Sequence, residues 1–390
     1  MNSKERVKAV LSGKIPDKVP WGEWAVDFDI VGKVIGRETY YRAKARSALA
    51  FWEGRRDEVV QSWKEDGIEF FRKMDCFDII NISAMASSVA PPKDYEFETP
   101  KKLDETTYEF SDGTVYKLSE ITADVTKVYD PTVGKKQYTP SDFEDDPLVE
   151  PPDESCFEVV DAFIEAFSGD RYLMGPSGSE VGILLLGSTF EEGGGGFGHG
   201  LMQYIDNPET VKAAIEYEVV KSNMMDRYYI RPCQDAVGWG QDFASTQGPF
   251  ISPEMFREFV LPGIKSRVKN IHDRFRIPVM KHACGNNNLL LDMFVEAGYD
   301  AYQSIQRTAG MNLAEIKADY GDNFKAWGGL SVEHLVSGTP EDIRNEVTHA
   351  MENYKPGGGY IFGSTHSICV GTKYENFMTM VDEFEKRREY

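Results

Sequence analysis

The chain has 390 residues, 41% hydrophobic and 27% charged, which is typical of a globular protein and argues against a disordered one. Its formal net charge of -21 argues against nucleic acid and anionic membrane surfaces as partners. We expect no membrane-spanning segment and no signal peptide, because no apolar run is long enough for either, and the five scattered cysteines suit the reducing cytoplasm.

Short apolar segments alternate with helical stretches along most of the chain. Helical patterns include 252–275, 313–321 and a helix that Thr339 caps ahead of Pro340. Such alternation predicts a parallel sheet, and eight strands fit a (β/α)8 TIM barrel. A doubly wound open sheet is the alternative, but no Gly-x-Gly-x-x-Gly follows an early strand. The predicted strands are 19–25, 77–82, 172–178, 236–243, 278–285, 301–306, 324–330 and 359–365.

The segment from about 90 to 154 differs from the rest, since it is rich in proline, acidic residues and lysine. It contains a hairpin pattern, in which Asp112-Gly113 is a strong signal for a tight turn between two strands. We interpret it as an insertion. The prediction is therefore one TIM-barrel domain over 1–390 with an inserted, hairpin-containing segment.

A glycine-rich stretch covers residues 191–200. It is not a phosphate-binding P-loop, because no Gly-Lys-Ser/Thr follows. A flexible lid over the barrel mouth and a plain connector are both open interpretations. His199 in this stretch is interpreted as an exposed loop histidine.

The segment His282-Ala283-Cys284-Gly285 ends the predicted strand 278–285. Residues two apart in a strand point the same way, so the imidazole and the thiol project together at the barrel end that carries catalytic residues. Both are good zinc ligands, and a catalytic zinc needs three protein ligands. His366 is the predicted third metal ligand and Cys369 the reserve. The alternative is structural, with His282 bonded to backbone and Cys284 filling an apolar space.

Acidic residues occur on the same rim. Asp242 lies at the end of the predicted strand 236–243 and is a candidate general acid, substrate anchor or helix cap. Glu23 ends the first predicted strand and is a second candidate acid, with a solvated loop residue as the alternative. The predicted catalytic residues are Glu23, Asp242, His282 and His366.

Large aromatic side chains also fall near the predicted strand ends, where they would form a wall for a planar ligand or pack the barrel. Glutamines lie beside them and would supply polar contacts. The predicted substrate-binding residues are Trp24, Trp239, Gln241, Tyr302, Gln303 and Trp327.

Several segments, in the expected order, resemble the uroporphyrinogen-decarboxylase superfamily. HACGNNNLLLDMFVEAGYD resembles its His-x-Cys-Gly … Glu-x-Gly-x-Asp segment, and GQDFASTQGPFISPEMFREFVLPGIK is similar to its Ser-Pro-x-x-Phe region. ERVKAVLSGKIPDKVP matches its opening, and PGGGYIFGSTHSI its last strand. The resemblance covers nearly the whole chain outside the insertion and implies a TIM barrel.

The superfamily that the chain resembles contains two classes of enzyme, decarboxylases and methyltransferases. Its decarboxylases hold porphyrinogen carboxylates with arginines after the first strand, where this chain has Trp21-Gly22-Glu23-Trp24-Ala25-Val26-Asp27, with two acids and no arginine. Its methyltransferases work with a corrinoid protein and bind zinc through His-x-Cys and a further cysteine on the last strand. His282 and Cys284 match the first two positions, and the third position corresponds to His366 instead of cysteine.

The resemblance therefore implies a corrinoid-dependent methyltransferase that moves a methyl group from a small donor to the cobalt of a partner corrinoid protein. O-demethylation of a methoxylated aromatic is one candidate reaction, with zinc as the cofactor. A homodimer is expected, because members of the superfamily are often dimers. A cofactor-independent decarboxylase, with Lys281 or Arg307 facing the substrate, is the first alternative. A non-catalytic corrinoid- or tetrapyrrole-binding protein is the second.

Overall fold

The structure is a computed structural model, and it describes residues 1–84, 89–119, 122–187 and 196–390. The first half of the glycine-rich stretch, residues 191–195, lies outside the described residues, and so does the choice between lid and connector. From Gly196 the chain forms a helix to Asp206, in which His199 contacts Gln203.

The centre of the molecule is a parallel sheet of seven strands that follow one another in chain order. Neighbouring strands are all paired in parallel. The strands are β1 (Ile79–Asn81), β2 (Tyr172–Gly175), β3 (Ala236–Trp239), β4 (Val279–Ala283), β5 (Ala301–Ser304), β6 (Lys325–Leu330) and β7 (Tyr360–Ser364).

A short seam joins the last strand to the first. Trp21 forms a parallel bridge with Phe362 of β7, and Gly22 forms one with Ile79 of β1. The predicted strand 19–25 is thus reduced to isolated bridges, in part because Pro20 has no N–H to donate. Gly22 is required here, since a Cβ would lie 2.8 Å from the Ile79 Cβ. The predicted TIM barrel is confirmed.

The helices lie mainly outside the sheet. The predicted helix 252–275 is interrupted by a π-helical turn, Phe256–Val260, ahead of Pro262, which cannot donate a backbone hydrogen bond. The predicted cap is confirmed, because Thr339 Oγ1 accepts from Asp342 N at 3.3 Å. The α-helices are Ser3–Leu11, Phe28–Ile35, Lys44–Trp52, Arg56–Lys73, Glu158–Phe167, Gly196–Asp206, Pro208–Tyr229, Pro253–Met255, Leu261–Phe275, Leu291–Ala297, Leu313–Tyr320, Val332–Ser337, Pro340–Asn353 and Tyr374–Arg387.

The inserted segment forms an antiparallel sheet of four strands, which extends the predicted hairpin. The turn lies where the sequence predicts it, with Gly113 at φ 87°. Trp52, the last residue of the helix Lys44–Trp52, packs this helix against the inserted sheet. Its ring lies 5.2 Å from that of Tyr108 and 5.4 Å from that of Phe110, measured between centroids. The strands are Lys101–Lys102, Thr107–Glu109, Val115–Ser119 and Asp124–Tyr129.

Two hydrophobic clusters follow from the alternation of side chains along the strands. The inner cluster fills the barrel and includes Met280, Trp327 and Ile361, with Val7 and Val10 of the first helix packed against it. The larger cluster lies between the sheet and the surrounding helices. In the ranges described above, no helix combines the length and apolarity needed to cross a membrane.

Candidate metal and active site

His282 and Cys284 meet at the carboxyl end of β4. Met280, two residues before His282, belongs to the inner cluster, so the alternation directs His282 into the barrel as well. Cys284 follows the strand on the same side, and its Sγ lies 3.3 Å from His282 Nε2. The two side chains therefore project together, which is the arrangement the sequence predicts.

Asp242 completes this group from the loop after β3. Its Oδ1 accepts a hydrogen bond from the backbone N of Cys284 at 2.7 Å. One ligand atom each from Asp242, His282 and Cys284 lie within 4.8 Å of one another. Asp242 is thus not a helix cap, and Ser252 caps the next helix instead.

Gln303 of β5 sets the orientation of the imidazole. It is fully buried, and its Nε2 donates to the backbone oxygen of Ser364 at 2.9 Å. Its Oε1 therefore faces His282 Nδ1 and accepts the proton that this nitrogen carries. The lone pair of His282 then lies on Nε2, toward Cys284. Gln303 acts behind the imidazole, which differs from its predicted role as a substrate contact.

Burial shifts the ionisation of both strand-end groups toward their neutral forms. Burial lowers the pKa of His282 to about 4. Burial, with a smaller contribution from the Asp242 carboxylate, raises the pKa of the Cys284 thiol to about 12. At neutral pH the metal-free site therefore holds a neutral imidazole and a protonated thiol, and a bound divalent cation would displace the thiol proton.

His366 follows β7 and faces the same group. Its ring centroid is 6.0 Å from that of His282, with the planes inclined by 72°. Asp242, rather than His366, supplies the third atom of the compact group, and the ligand role of His366 stays a prediction. The reserve ligand Cys369 lies beside the segment that contains Asp27, because Ile368 N donates to Ala25 O at 2.9 Å.

Glu23 is buried at the barrel seam, with 4% of its surface exposed, so its interpretation as a solvated loop residue is wrong. Its carboxyl group accepts hydrogen bonds from Trp21 Nε1 at 2.8 Å and from Ser364 N at 3.0 Å. Burial outweighs these bonds and raises the pKa of Glu23 to about 7. The Ser364 hydroxyl contacts both Glu23 and the backbone oxygen of His366, which connects the carboxyl group to the site.

Trp24 covers one face of the imidazole. The two rings stack at a centroid distance of 4.7 Å, and Trp327 lies 6.3 Å beyond. Gly240 makes room for this arrangement, since a Cβ there would lie 2.9 Å from Trp24 Cζ2. The predicted aromatic wall thus contains Trp24, backed by the fully buried Trp327.

Three predicted substrate contacts lie on the outer face of the sheet or at its edge. Trp239 is in register with Lys281, on the opposite face from His282, and its Nε1 donates to Ser177 Oγ at 2.9 Å. The Tyr302 hydroxyl donates to Ala283 O at 3.1 Å. Gln241 Nε2 donates to Ile183 O at 3.0 Å. Strand alternation directs Trp239 and Tyr302 away from the imidazole, which contradicts their predicted roles, whereas the role of Gln241 stays a prediction.

The fold and site together define a TIM-barrel protein with its chemically active side chains at the carboxyl ends of the strands. The family model described as uroporphyrinogen decarboxylase (URO-D) matches residues 125–387, more than half of the chain. The chain therefore belongs to the URO-D family, which is a family of enzymes.

Similar proteins have been described from several bacteria. The uroporphyrinogen decarboxylase of Neisseria gonorrhoeae (strain NCCP11945) is 27% identical over 273 residues, 69% of each chain. That of Thioalkalivibrio sulfidiphilus is 29% identical over 144 residues, 36% of this chain and 40% of the relative. A solved methyltransferase from Methanosarcina mazei has a similar fold, with a TM-score of 0.62 at 15% identity over 99% of both chains.

Proposed function

We propose that this protein is a corrinoid-dependent methyltransferase. It would move a methyl group from a small donor, such as a methoxylated aromatic, to the cobalt of a partner corrinoid protein. The observation that carries the proposal is the compact group of Asp242, His282 and Cys284 at the barrel mouth. The fold that it shares with the Methanosarcina mazei methyltransferase is consistent with this assignment.

The donor set fits zinc. Imidazole nitrogen, thiolate sulfur and carboxylate oxygen are its usual protein ligands, and three of them leave a position open. The imidazole nitrogen and the thiol sulfur lie 3.3 Å apart, close enough for one ion to bind both. Asp242, His282 and Cys284 would hold the ion, with His366 nearby as a further ligand. When bound, zinc would supply a Lewis acid that stabilises negative charge on the leaving group.

The remaining residues prepare the transfer. In O-demethylation the carbon–oxygen bond breaks, a carbon–cobalt bond forms, and the departing oxygen must gain a proton or a positive partner. Glu23 is suited to hold that proton, since its pKa of about 7 leaves it largely protonated under mildly acidic conditions. Trp24 would exclude water from one side of the donor, and Gln303 keeps the imidazole in its ligating tautomer.

Decarboxylation is the second candidate, and the identity to uroporphyrinogen decarboxylases favours it. It requires cations that hold substrate carboxylates. The two cations predicted for this role have carboxylate partners of their own. Lys281 Nζ lies 2.8 Å from Glu180 Oε2, and Arg307 lies 3.8 Å from Glu346. Both cations are thus engaged by carboxylates of the protein, which favours methyl transfer over decarboxylation.

The first experiment supplies zinc-loaded protein with a corrinoid protein reduced to Co(I), together with a panel of methoxylated aromatics and methylamines. We expect the cobalt absorbance to change to that of the methylated corrinoid with one class of donor. Release of carbon dioxide from a carboxylated substrate, with no methylation of cobalt, would replace the proposal by decarboxylation. Homodimer formation and cytoplasmic location belong to the same proposal and are tested by light scattering and cell fractionation.

The role of Glu23 has its own test. Glu23→Gln keeps an oxygen that accepts from Trp21 and Ser364 but holds no acidic proton. We expect the methylation rate to fall by about 100-fold, the lower end for loss of a general acid. In the native protein the rate should decrease as pH rises through about 7, where Glu23 loses its proton, and this decrease should be absent from the variant. An unchanged pH–rate profile in the variant would show that Glu23 does not donate the proton.

A further inference from the structure

A buried ion pair lies directly behind the Asp242–His282–Cys284 group. Lys281 has no exposed surface and Glu180 has 6%, and their charged atoms lie 2.8 Å apart. Lys281 is next to His282 on β4 but points to the outer face of the sheet, where its ammonium lies 4.0 Å from the centroid of the Phe243 ring. The Tyr299 hydroxyl donates to the second oxygen of Glu180.

This pair holds the backbone of one residue, Gln241. Lys281 Nζ donates to Gln241 O at 2.6 Å, and Gln241 N donates to Glu180 Oε2 at 3.4 Å. Both backbone polar groups of Gln241 therefore bind the same ion pair. The next residue is Asp242, whose carboxylate accepts from Cys284 N. Asp242 thus directly follows a residue whose backbone is held by two hydrogen bonds to a buried ion pair.

We infer that Lys281 and Glu180 are positioning residues that direct the Asp242 carboxylate toward Cys284 and His282. Asp242 lies in a loop beyond the end of β3, where no strand pairing fixes its backbone. A functional carboxylate must be held within a fraction of an ångström to be useful, and supporting contacts provide this. The ion pair supplies such contacts from the face opposite to the site.

Stabilisation of the fold alone does not explain this buried pair. Burying two charges costs free energy that their attraction often only offsets, so apolar replacements are commonly neutral or stabilising. The contacts to Gln241 distinguish positioning from stability, because they transmit the pair's geometry to Asp242. Lys281 is therefore assigned to support of the site and not to a substrate carboxylate.

The direct test measures hydrogen–deuterium exchange of the peptide that contains Cys284, in metal-free protein. The Cys284 amide donates to Asp242, so its exchange reports whether the carboxylate is in place. We expect exchange at least about tenfold faster in Lys281→Met and in the shape-conserving Glu180→Gln. Arg388→Met is the matched control, because it breaks a buried pair with Asp78 ahead of β1, at the other end of the barrel.

Equal exchange at Cys284 in all three variants and the native protein would overturn the inference. A rise of the same size in Arg388→Met would overturn it as well, since general loosening would then explain the effect. Zinc affinity is the second readout, measured by competition with a chromogenic chelator. Both positioning variants should bind zinc about 10- to 100-fold more weakly, as expected for supporting residues. Their double variant should lose little more than either single one, because the two act as a unit.

The zinc readout rests on the proposed metal site, whereas the exchange readout does not. If the native protein binds no zinc but exchange at Cys284 responds as expected, the proposed function fails and the positioning role of Lys281 and Glu180 stands. If native zinc binding is tight and both variants bind zinc as the native protein does, the positioning role fails and the metal site stands.

Discussion

The two ends of the barrel use charged side chains in opposite ways. At the amino end, an aspartate comes immediately before each of β1, β3 and β5, and its carboxylate accepts a backbone N–H from the neighbouring strand or seam. The bonds join Asp78 to Trp21 at 2.9 Å, Asp235 to Leu173 at 3.1 Å and Asp300 to Val279 at 2.7 Å.

Each of these aspartates also has cationic partners. Asp78 lies between the guanidinium groups of Arg6 and Arg388. Asp235 binds Lys4 and Lys8, and Asp300 binds His272. At the carboxyl end, burial instead shifts the pKa of Glu23, His282 and Cys284 toward the neutral form. Paired charges stabilise the amino end, whereas the groups that face the candidate site at the carboxyl end have displaced pKa values, a pattern common at functional sites.

The strongest test of this contrast is Asp78→Asn. The change removes the buried anion that Arg6 and Arg388 share and leaves each with only a more exposed carboxylate, Asp17 or Glu385. Breaking a buried pair costs roughly 3–5 kcal/mol of unfolding free energy. Urea denaturation should show this loss, while the folded variant keeps its zinc affinity. Asp17→Asn removes a half-exposed partner of Arg6 and should cost less than about 1 kcal/mol. A large loss of zinc affinity in Asp78→Asn would show that the ends are not independent.

The converse change is Cys284→Ser at the carboxyl end. The serine hydroxyl is close in size to the thiol, which contacts His282 and Ser304, so the change disturbs the packing little. We expect zinc binding to be lost and methyl transfer to fall by at least about 100-fold, with an unfolding free energy within about 1 kcal/mol of the native value. Metal analysis, the cobalt assay and urea denaturation measure the three effects. Cys369→Ser is the control, and full activity in Cys284→Ser would remove the thiol from the mechanism.

A finer test separates the two faces of β5. Gln303→Met leaves His282 Nδ1 and Ser364 O without their partner and should weaken zinc binding about 10-fold or more. Tyr302→Phe removes a hydroxyl from the outer face of the same strand and should leave zinc affinity unchanged within about twofold. Chelator competition measures both. Similar losses in the two variants would contradict the assignment of faces.

The smallest expected effect concerns pH at the amino end. The hydrogen bond to Asp300 raises the pKa of His272 above its usual value near 6.5. The stabilisation is therefore complete below pH 6.5 and is lost as pH rises through the higher, folded-state pKa. Because His272 is partly exposed, its interaction with Asp300 contributes less than about 1 kcal/mol to the free energy of unfolding. The difference in unfolding free energy between native protein and His272→Gln should be larger at pH 5.5 than at pH 8.5, and an equal difference would contradict it.

The barrel was predictable because apolar strands and amphipathic helices alternate over most of the chain. The seam was less predictable from the sequence. Its two bridges, at Trp21 and Gly22, depend on contacts with β7 and β1 and not on local strand propensity. The inserted sheet was predicted only as a hairpin. Its turn has a clear dipeptide signal, whereas the pairing of Asp124–Tyr129 with Val115–Ser119 adds a strand that no comparable turn signal marks.

The candidate site shows the same division. The two-residue spacing of His282 and Cys284 places them on one side of the chain, and that prediction holds. Alternation within its own strand did not assign a face to Trp239, because that face is set by the register that pairs Trp239 with Lys281. The return of Asp242 toward Cys284 depends on a loop and on the buried Lys281–Glu180 pair, which no local pattern reveals.

The barrel seam has a consequence for the order in which the site is assembled. Glu23 and Ser364 are separated by 341 positions, and Trp327 and Gly22 by 305. Contacts between such distant positions are costly until the intervening chain is ordered, so they belong to the late stages of folding. Glu23 acquires its buried surroundings only through these contacts. Asp242 and Cys284 are only 42 positions apart, with His282 between them. A refolding chain should therefore bind zinc at these three residues before Glu23 acquires its raised pKa, and catalytic competence should be the last property to return.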